Sequence, residues 1–251
     1  MVADAMTDLH DDARLAAALA TQAGELLLAI QADCASGARG DREANACILE
    51  QLRAARADDA ILSEESADDS ARLTRSRVWI IDPLDGTKEF AERRGDWAVH
   101  IALAIDGAPA VGAVALPRLG ITLSSANPPA LAPAHQPPRM LVSRSRAVPL
   151  CVDVGQAIGA QSVPMGSAGA KAMAVVRGEA EIYLHAGGQH QWDNCAPAAV
   201  ALAAGLHVSR IDGSPIVYNQ PDTNLPDLLI CRKEWAAPVL DAIRACREAQ
   251  R

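Results

Sequence analysis

The stretch Val78-Trp79-Ile80-Ile81-Asp82-Pro83-Leu84-Asp85-Gly86-Thr87 constrains the fold more than any other part of this 251-residue chain. Its first four residues are apolar, β-branched or aromatic, as in a strand buried on both faces. Pro83 lacks an amide hydrogen and holds φ, so the strand is expected to stop there. Asp82 and Asp85 stand on either side of that stop. Carboxylates at the edge of a core are costly without a partner. The fold must therefore bring positive charge to this point. Gly86 allows close backbone approach, and Thr87 can cap a following helix. An ordinary Asp-Gly turn is the bland alternative. The order strand, Asp-Pro-Leu-Asp-Gly-Thr is much more specific than Asp-Gly alone.

The chain is long enough for one large domain or two small lobes with a substantial core. Half of its residues are apolar but only 3% are aromatic, so layers of helix and sheet with small side chains between them are expected. The net charge of −8 and the absence of a basic stripe exclude nucleic-acid polymers as partners. A small anionic substrate remains possible if a metal ion or a local group of Lys and Arg offsets the field. The six cysteines include no Cys-x-x-Cys pair, which suits reduced thiols. Asp4, Asp8, Asp11 and Asp12 make the N-terminus acidic where a signal peptide is basic. No apolar run is expected to span a membrane, and a cytoplasmic location follows from this reading.

Periodicity predicts a helix over Asp8–Gln31, a loop over 33–40 and a second helix over Arg42–Ala57. Asp41 stands at the N-cap of that second helix. A short strand over Ala60–Ser63 leads to Glu64-Glu65, and 68–77 reads as an exposed linker. After the central stretch, Trp97–Ile105, Pro109–Leu116 and Ile121–Ser125 read as an antiparallel meander turning at Asp106-Gly107. Residues 126–138 contain five prolines and read as a lobe boundary or surface loop. Beyond them strands and helices alternate. Gly166-Ser167-Ala168-Gly169-Ala170-Lys171 opens one helix, and Gln191 to Pro197 leads into another over Ala198–Ala204. The meander suggests an α+β layer and the alternation an α/β layer.

Glu64, the Asp82 and Asp85 pair, and Asp193 each lie at a strand end or helix start. If they converge, the site is all oxygen and prefers Mg²⁺ to Zn²⁺. Such sites commonly serve phosphoryl chemistry. Backbone amides at Gly86, Thr87 and Gly166 could meet phosphate oxygens, with Lys171, Arg144 and Arg146 adding charge. The residues alone therefore point to a Mg²⁺-dependent hydrolase of a phosphorylated small molecule. His185 and His190 flank a Gly-Gly pair and do not share a helix face, so zinc is not expected there. Trp79, Trp97 and Trp192 read as packing residues.

Asp82-Pro83-Leu84-Asp85-Gly86-Thr87, with Ser63-Glu64-Glu65-Ser66 upstream and Trp192-Asp193 downstream, resembles the signature set of the inositol monophosphatase superfamily. Lys88-Glu89-Phe90 and the run from Gly166 to Lys171 resemble its CysQ-type 3′(2′),5′-bisphosphate nucleotidase branch, actinobacterial members in particular. The resemblance implies a five-layer αβαβα sandwich. It divides into an N-terminal lobe over 1–126 and a C-terminal lobe over 139–251, one functional unit with the site between them. It implies that Glu64, Asp82, Asp85, Asp193 and the Leu84 carbonyl hold two or three Mg²⁺ ions. Mn²⁺ would substitute and Li⁺ would inhibit. Asp41 and Thr87 would orient the attacking water, with Glu64 at the same reaction centre. Gly86, Thr87, Gly166, Ser167, Lys171, Arg144, Arg146 and Asp193 would face substrate. The implied reaction is removal of the 3′-phosphate from adenosine 3′,5′-bisphosphate or its sulfated form, in sulfur assimilation, by a possible homodimer. Inositol monophosphatase or fructose-1,6-bisphosphatase activity is the neighbouring reading. A haloacid-dehalogenase-type phosphatase would need Asp-x-Asp-Gly-Thr rather than the spacing seen here. A non-catalytic binding module would be expected to have lost one of the acids.

Overall fold

A computed structural model describes residues 2–145 and 148–249. Two long helices come first, α1 (Val2–Asp33) and α2 (Gly37–Ala55). They cover one face of a five-stranded sheet ordered β1 (Ala60–Ser63), β2 (Arg77–Asp85), β3 (Ala98–Ile105), β4 (Ala108–Leu116) and β5 (Ile121–Ser124). A short helix, α3 (Thr87–Ala91), leaves the end of β2. The second half runs β6 (Arg139–Ser143), α4 (Pro149–Ala157), β7 (Gln161–Met165), α5 (Ala168–Val176), β8 (Ile182–His185), β9 (Gln189–His190) and α6 (Gln191–Ala203). It ends with β10 (His207–Ser209), β11 (Asn224–Leu225), β12 (Leu228–Cys231) and α7 (Lys233–Ala249). The second sheet is ordered β10-β12-β8-β6-β7, and β9 pairs with β11 in a small ribbon.

Alternation along the strands decides what each face covers. Trp79, Ile81, Val99, Ile101 and Ala113 pack on Leu19, Leu27, Ile48 and Leu52 of α1 and α2. Val78, Ile80, Ala102 and Val114 face the other way, onto α5 and α6. Those helices also meet Leu141, Tyr183, Leu228 and Ile230 of the second sheet. The far face of that sheet, with Met140, Ile182, Leu184 and Leu229, packs on α4 and α7. The layers are helix, sheet, helix, sheet, helix, as expected. Alanine dominates the middle layer, and Gly112 shows why. A Cβ there would lie 2.5 Å from the Ala196 carbonyl oxygen of α6. Small side chains let this helix lie almost on the sheet.

Several boundaries differ from the sequence reading. Helix α2 starts at Gly37, with Ser36 as its N-cap, so Asp41 is inside the helix and caps nothing. The glycines that read as loop are packing glycines. A Cβ on Gly37 would lie 2.3 Å from Thr87 Cγ2, and one on Gly40 would lie 2.9 Å from Leu27 Cδ2. Strand β2 does not stop at Pro83 but continues to Asp85, with a register shift between Asp82 and Asp85. A proline is tolerated in a strand where the ladder is already interrupted. The linker over 68–77 holds a short 3₁₀ turn whose Arg72 is 2% exposed. Arg72 pairs with Asp68 and donates to the Gln220 carbonyl. Helix α6 starts at Gln191 and carries Pro197 within it. Within α1, Asp8–Asp33 is long and apolar enough to cross a membrane by length and composition, contrary to expectation. In the fold its Leu19, Ala23, Leu27 and Ile30 are buried on the first sheet and α2.

Candidate active site

Asp82 and His100 are register partners on β2 and β3, so their side chains share the face toward the middle helices. Both are buried. Asp82 Oδ1 accepts the Leu84 amide at 3.0 Å, which bends the chain around Pro83. The register shift then brings Asp85 inward as well. Its Oδ2 accepts the Gly169 amide at 2.6 Å and the Ser167 hydroxyl, both at the start of α5. His100 Nε2 lies 3.3 Å from the same oxygen, without hydrogen-bond geometry, while Nδ1 lies 3.1 Å from the Trp192 carbonyl oxygen. His100 therefore lies where β2, the start of α5 and the start of α6 come together.

Asp193 sits in the first turn of α6, where its Oδ2 accepts the His190 amide at 2.6 Å. Asp82, Asp85 and Asp193 each offer one carboxylate oxygen, all within 4.8 Å of one another. Glu64 arrives from the neighbouring strand. The parallel pairing of Ser63 with Ile81, continued by the Glu64 amide on the Ile81 carbonyl at 3.2 Å, carries it to the same end of the sheet. The residue is exposed, but its carboxyl turns to Asp82, and surrounding protein dominates its electrostatics. Asp82, Asp85 and Asp193 thus share one small volume, and Glu64 reaches it through Asp82.

Their charges show the strain of that convergence. Burial, then the charges of Asp193, Asp41 and Asp85, lift Glu64 to about 7, although its hydrogen bond with Asp82 pulls down. Burial and the neighbouring Glu64, Asp85 and Asp193 hold Asp82 well above the usual carboxylate range. Burial and Asp85 lift Asp193 to about 6, against the His190 amide. Asp85 goes the other way. Burial opposes its charge, but His100, Ser167 and Gly169 together hold it below the usual range. A crowded, all-oxygen donor set suits a hard divalent cation of the Mg²⁺ kind.

Asp41 is 7% exposed, and its Oδ1 has no hydrogen-bond partner. Burial and the charge of Glu65 raise it to about 7, offset in part by the neighbouring Thr87 hydroxyl. The Thr87 hydroxyl gives its one proton to the Leu84 carbonyl at 3.2 Å, with its oxygen beside the Asp41 carboxyl. Asp41, Thr87 and Leu84 thus form one group. One turn along α2, Asn45 donates to the Glu65 carbonyl and accepts from Ser63, which ties the helix to the Glu64 segment. Gly86 has φ +92° and starts α3, whose first amides have no helical acceptor. Its missing Cβ would lie 3.2 Å from those of Ser167 and Trp97.

The other residues expected to face substrate are placed as follows. The Gly166 amide donates to Asp96 at 2.7 Å. Ser167 has φ +52°, and its hydroxyl oxygen accepts the Ala170 amide while serving Asp85. Lys171 is 5% exposed, with Nζ directed at the Gly166 and Ser167 carbonyls and 5.3 Å from the Tyr183 ring centre. Arg144 bridges Glu89 and Glu92 at 2.8 Å each. Arg146 lies outside the described residues. Sequence reasoning overlooked His100, Gly169, Glu89 and Asp96. His100 had a usable signal, as the one polar side chain inside the apolar run Ala98–Ile105. Gly169 had none, because its role depends on packing 2.0 Å, as a Cβ would measure it, from His100 Nε2.

By sequence, the chain matches the inositol monophosphatase family over residues 16–129 and 139–247. It is 50% identical to the 3'-phosphoadenosine 5'-phosphate phosphatase of Mycobacterium bovis, over 97% of this chain and 98% of the relative. It is 32% identical to the 3'(2'),5'-bisphosphate nucleotidase CysQ of Escherichia coli, over 78% of this chain and 84% of the relative. The crystal structure of CysQ from Bacteroides thetaiotaomicron is similar with a TM-score of 0.75 at 27% identity, covering 89% of this chain and 98% of that one.

Proposed function

The chain belongs to the inositol monophosphatase family, and we propose that within it this enzyme removes the 3′-phosphate from adenosine 3′,5′-bisphosphate, giving AMP and phosphate. The observation that carries the choice of substrate is the 50% identity, over nearly the full length of both chains, to a phosphatase named for that nucleotide. The sulfated nucleotide is a second substrate on this reading, and the setting is sulfur assimilation.

Glu64, Asp82, Asp85, Asp193 and the Leu84 carbonyl would hold two or three Mg²⁺ ions, for which Mn²⁺ substitutes and against which Li⁺ competes. Three of these acids already share one small volume, which supports the assignment. Bound Mg²⁺ supplies charge neutralisation on the phosphoryl oxygens and a lowered pKa for water. The chain does the rest by position. Asp41, with its unpartnered oxygen, takes the proton of the attacking water. Thr87, bonded to the Leu84 carbonyl and beside Asp41, orients that water. The amides at Gly86 and Thr87 bind the phosphate at the start of α3. Ser167 holds Asp85 toward the cluster. Gly166, Lys171 and Arg144 form the substrate side, and Lys171 and Arg144 exchange internal partners for substrate when it binds. The two halves work as one unit, because Asp85 from the first half is held by α5 from the second.

Phosphate release from adenosine 3′,5′-bisphosphate, inositol 1-phosphate and fructose 1,6-bisphosphate, compared by kcat/KM at saturating Mg²⁺, tests this reading. The nucleotide is expected to lead. Preference for either of the other two overturns the substrate assignment.

A further inference from the structure

The entrance to α6 carries a pair of stacked rings that the reaction as described leaves unused. His190 and Trp192 have ring centres 4.6 Å apart and planes 9° from parallel. Trp192 is half-buried and packs against the core shared by the two sheets. His190 is exposed. One face of the imidazole is therefore covered by the indole, and the opposite face is open. The ring is held in place from two more directions. Nδ1 lies 3.2 Å from Thr223 Oγ1, and the His190 backbone pairs with Asn224 in the β9–β11 ribbon.

Position gives the ring its interest. The His190 amide donates to Asp193 at 2.6 Å, so the platform is tied directly to one of the converging acids. A flat ring, already ordered, thus presents an open face beside the place where phosphate would be cleaved.

We propose that His190, held on Trp192, is the platform on which the base of the nucleotide stacks, and that this contact separates nucleotides from sugar and inositol phosphates. The proposal rests on the nucleotidase reading above. Stacking tolerates any base, since each has a π face. The platform therefore recognises that a base is present and leaves its identity to other contacts. Because the ring is already ordered by Trp192 and Thr223, little side-chain freedom is lost on binding.

The test compares AMP with ribose 5-phosphate, which lacks the base. Calorimetry at saturating Mg²⁺ gives both affinities for the wild-type protein, His190→Ala and His190→Phe. His190→Ala is expected to weaken AMP about tenfold and to leave ribose 5-phosphate as it was, with His190→Phe restoring AMP binding. In turnover, the same variant should raise KM for adenosine 3′,5′-bisphosphate with kcat held. Equal weakening of both ligands would assign His190 to the placement of Asp193 and overturn the platform. Unchanged AMP affinity in His190→Ala would overturn it too. The two readings fail separately. A wild-type preference for inositol 1-phosphate in turnover removes the substrate assignment, while the AMP and ribose 5-phosphate affinities still decide the platform.

Discussion

Asp85 and His100 carry the main consequences at the scale of single residues. Asp85 has one oxygen committed to Ser167 and Gly169, with His100 Nε2 3.3 Å from it, which leaves the other for the cluster. Asp85→Asn removes a ligand charge and leaves an amide among those donors. Its kcat is expected to fall by more than about 100-fold, the upper end of what partners of ligands cause, measured as phosphate release at high Mg²⁺. Near-normal turnover would sink its assignment as a ligand. His100→Leu keeps the site apolar and filled but removes both ring nitrogens. Divalent-ion affinity should weaken by about 10- to 100-fold, read by Mn²⁺ calorimetry on the protein without substrate. Asp82 and Asp85 were legible in the sequence because carboxylates beside a buried strand need partners. His100 was legible only as an oddity, since its two oxygen neighbours come from β2 and α6.

At the scale of elements, the glycines misled and then explained. Gly37 and Gly40 read as a loop that ended at Asp41. They are instead the places where α2 touches Thr87, Leu27 and Leu84. A helix boundary inferred from glycine fails when the glycine answers to packing, because sequence spacing does not report what lies across the contact. Gly112 is the stronger case, since it faces backbone. Gly112→Ala puts a methyl against the Ala196 carbonyl and Ala199 of α6. Overpacking of this kind is expected to lower stability by about 1–3 kcal/mol, measured by urea unfolding. Activity should fall with it, because α6 carries Asp193. A variant that unfolds like the wild type would show that the helix can shift away at little cost.

At the scale of the whole molecule, the cleft stores electrostatic strain that a cation relieves. Glu64 and Asp193 are raised to about 7 and about 6, from ordinary values of 4.5 and 3.8. An acid raised in the folded state favours folding only while it is protonated there. Its contribution is retained below the unfolded value and is lost as pH rises through the folded one. The metal-free protein should therefore lose thermal stability between about pH 5 and pH 8. Added Mg²⁺ should raise Tm strongly at the upper end of that range and little at the lower end. A metal-free Tm that is flat or rising across the interval would contradict this. What the amino-acid sequence determined by itself was local in origin. Apolar alternation set the layers, the five-layer order followed from the family motifs, and the acids at Glu64, Asp82, Asp85 and Asp193 were marked by their places at strand ends and a helix start. Only the tertiary structure decided how those acids meet. Parallel pairing carries Glu64 to Asp82, a register shift turns Asp85 inward, and α5 and α6 supply the groups that hold Asp85 and Asp193. The opening stretch alone required a partner for its charge, but which groups answer that requirement depends on contacts between residues up to 84 apart in the chain.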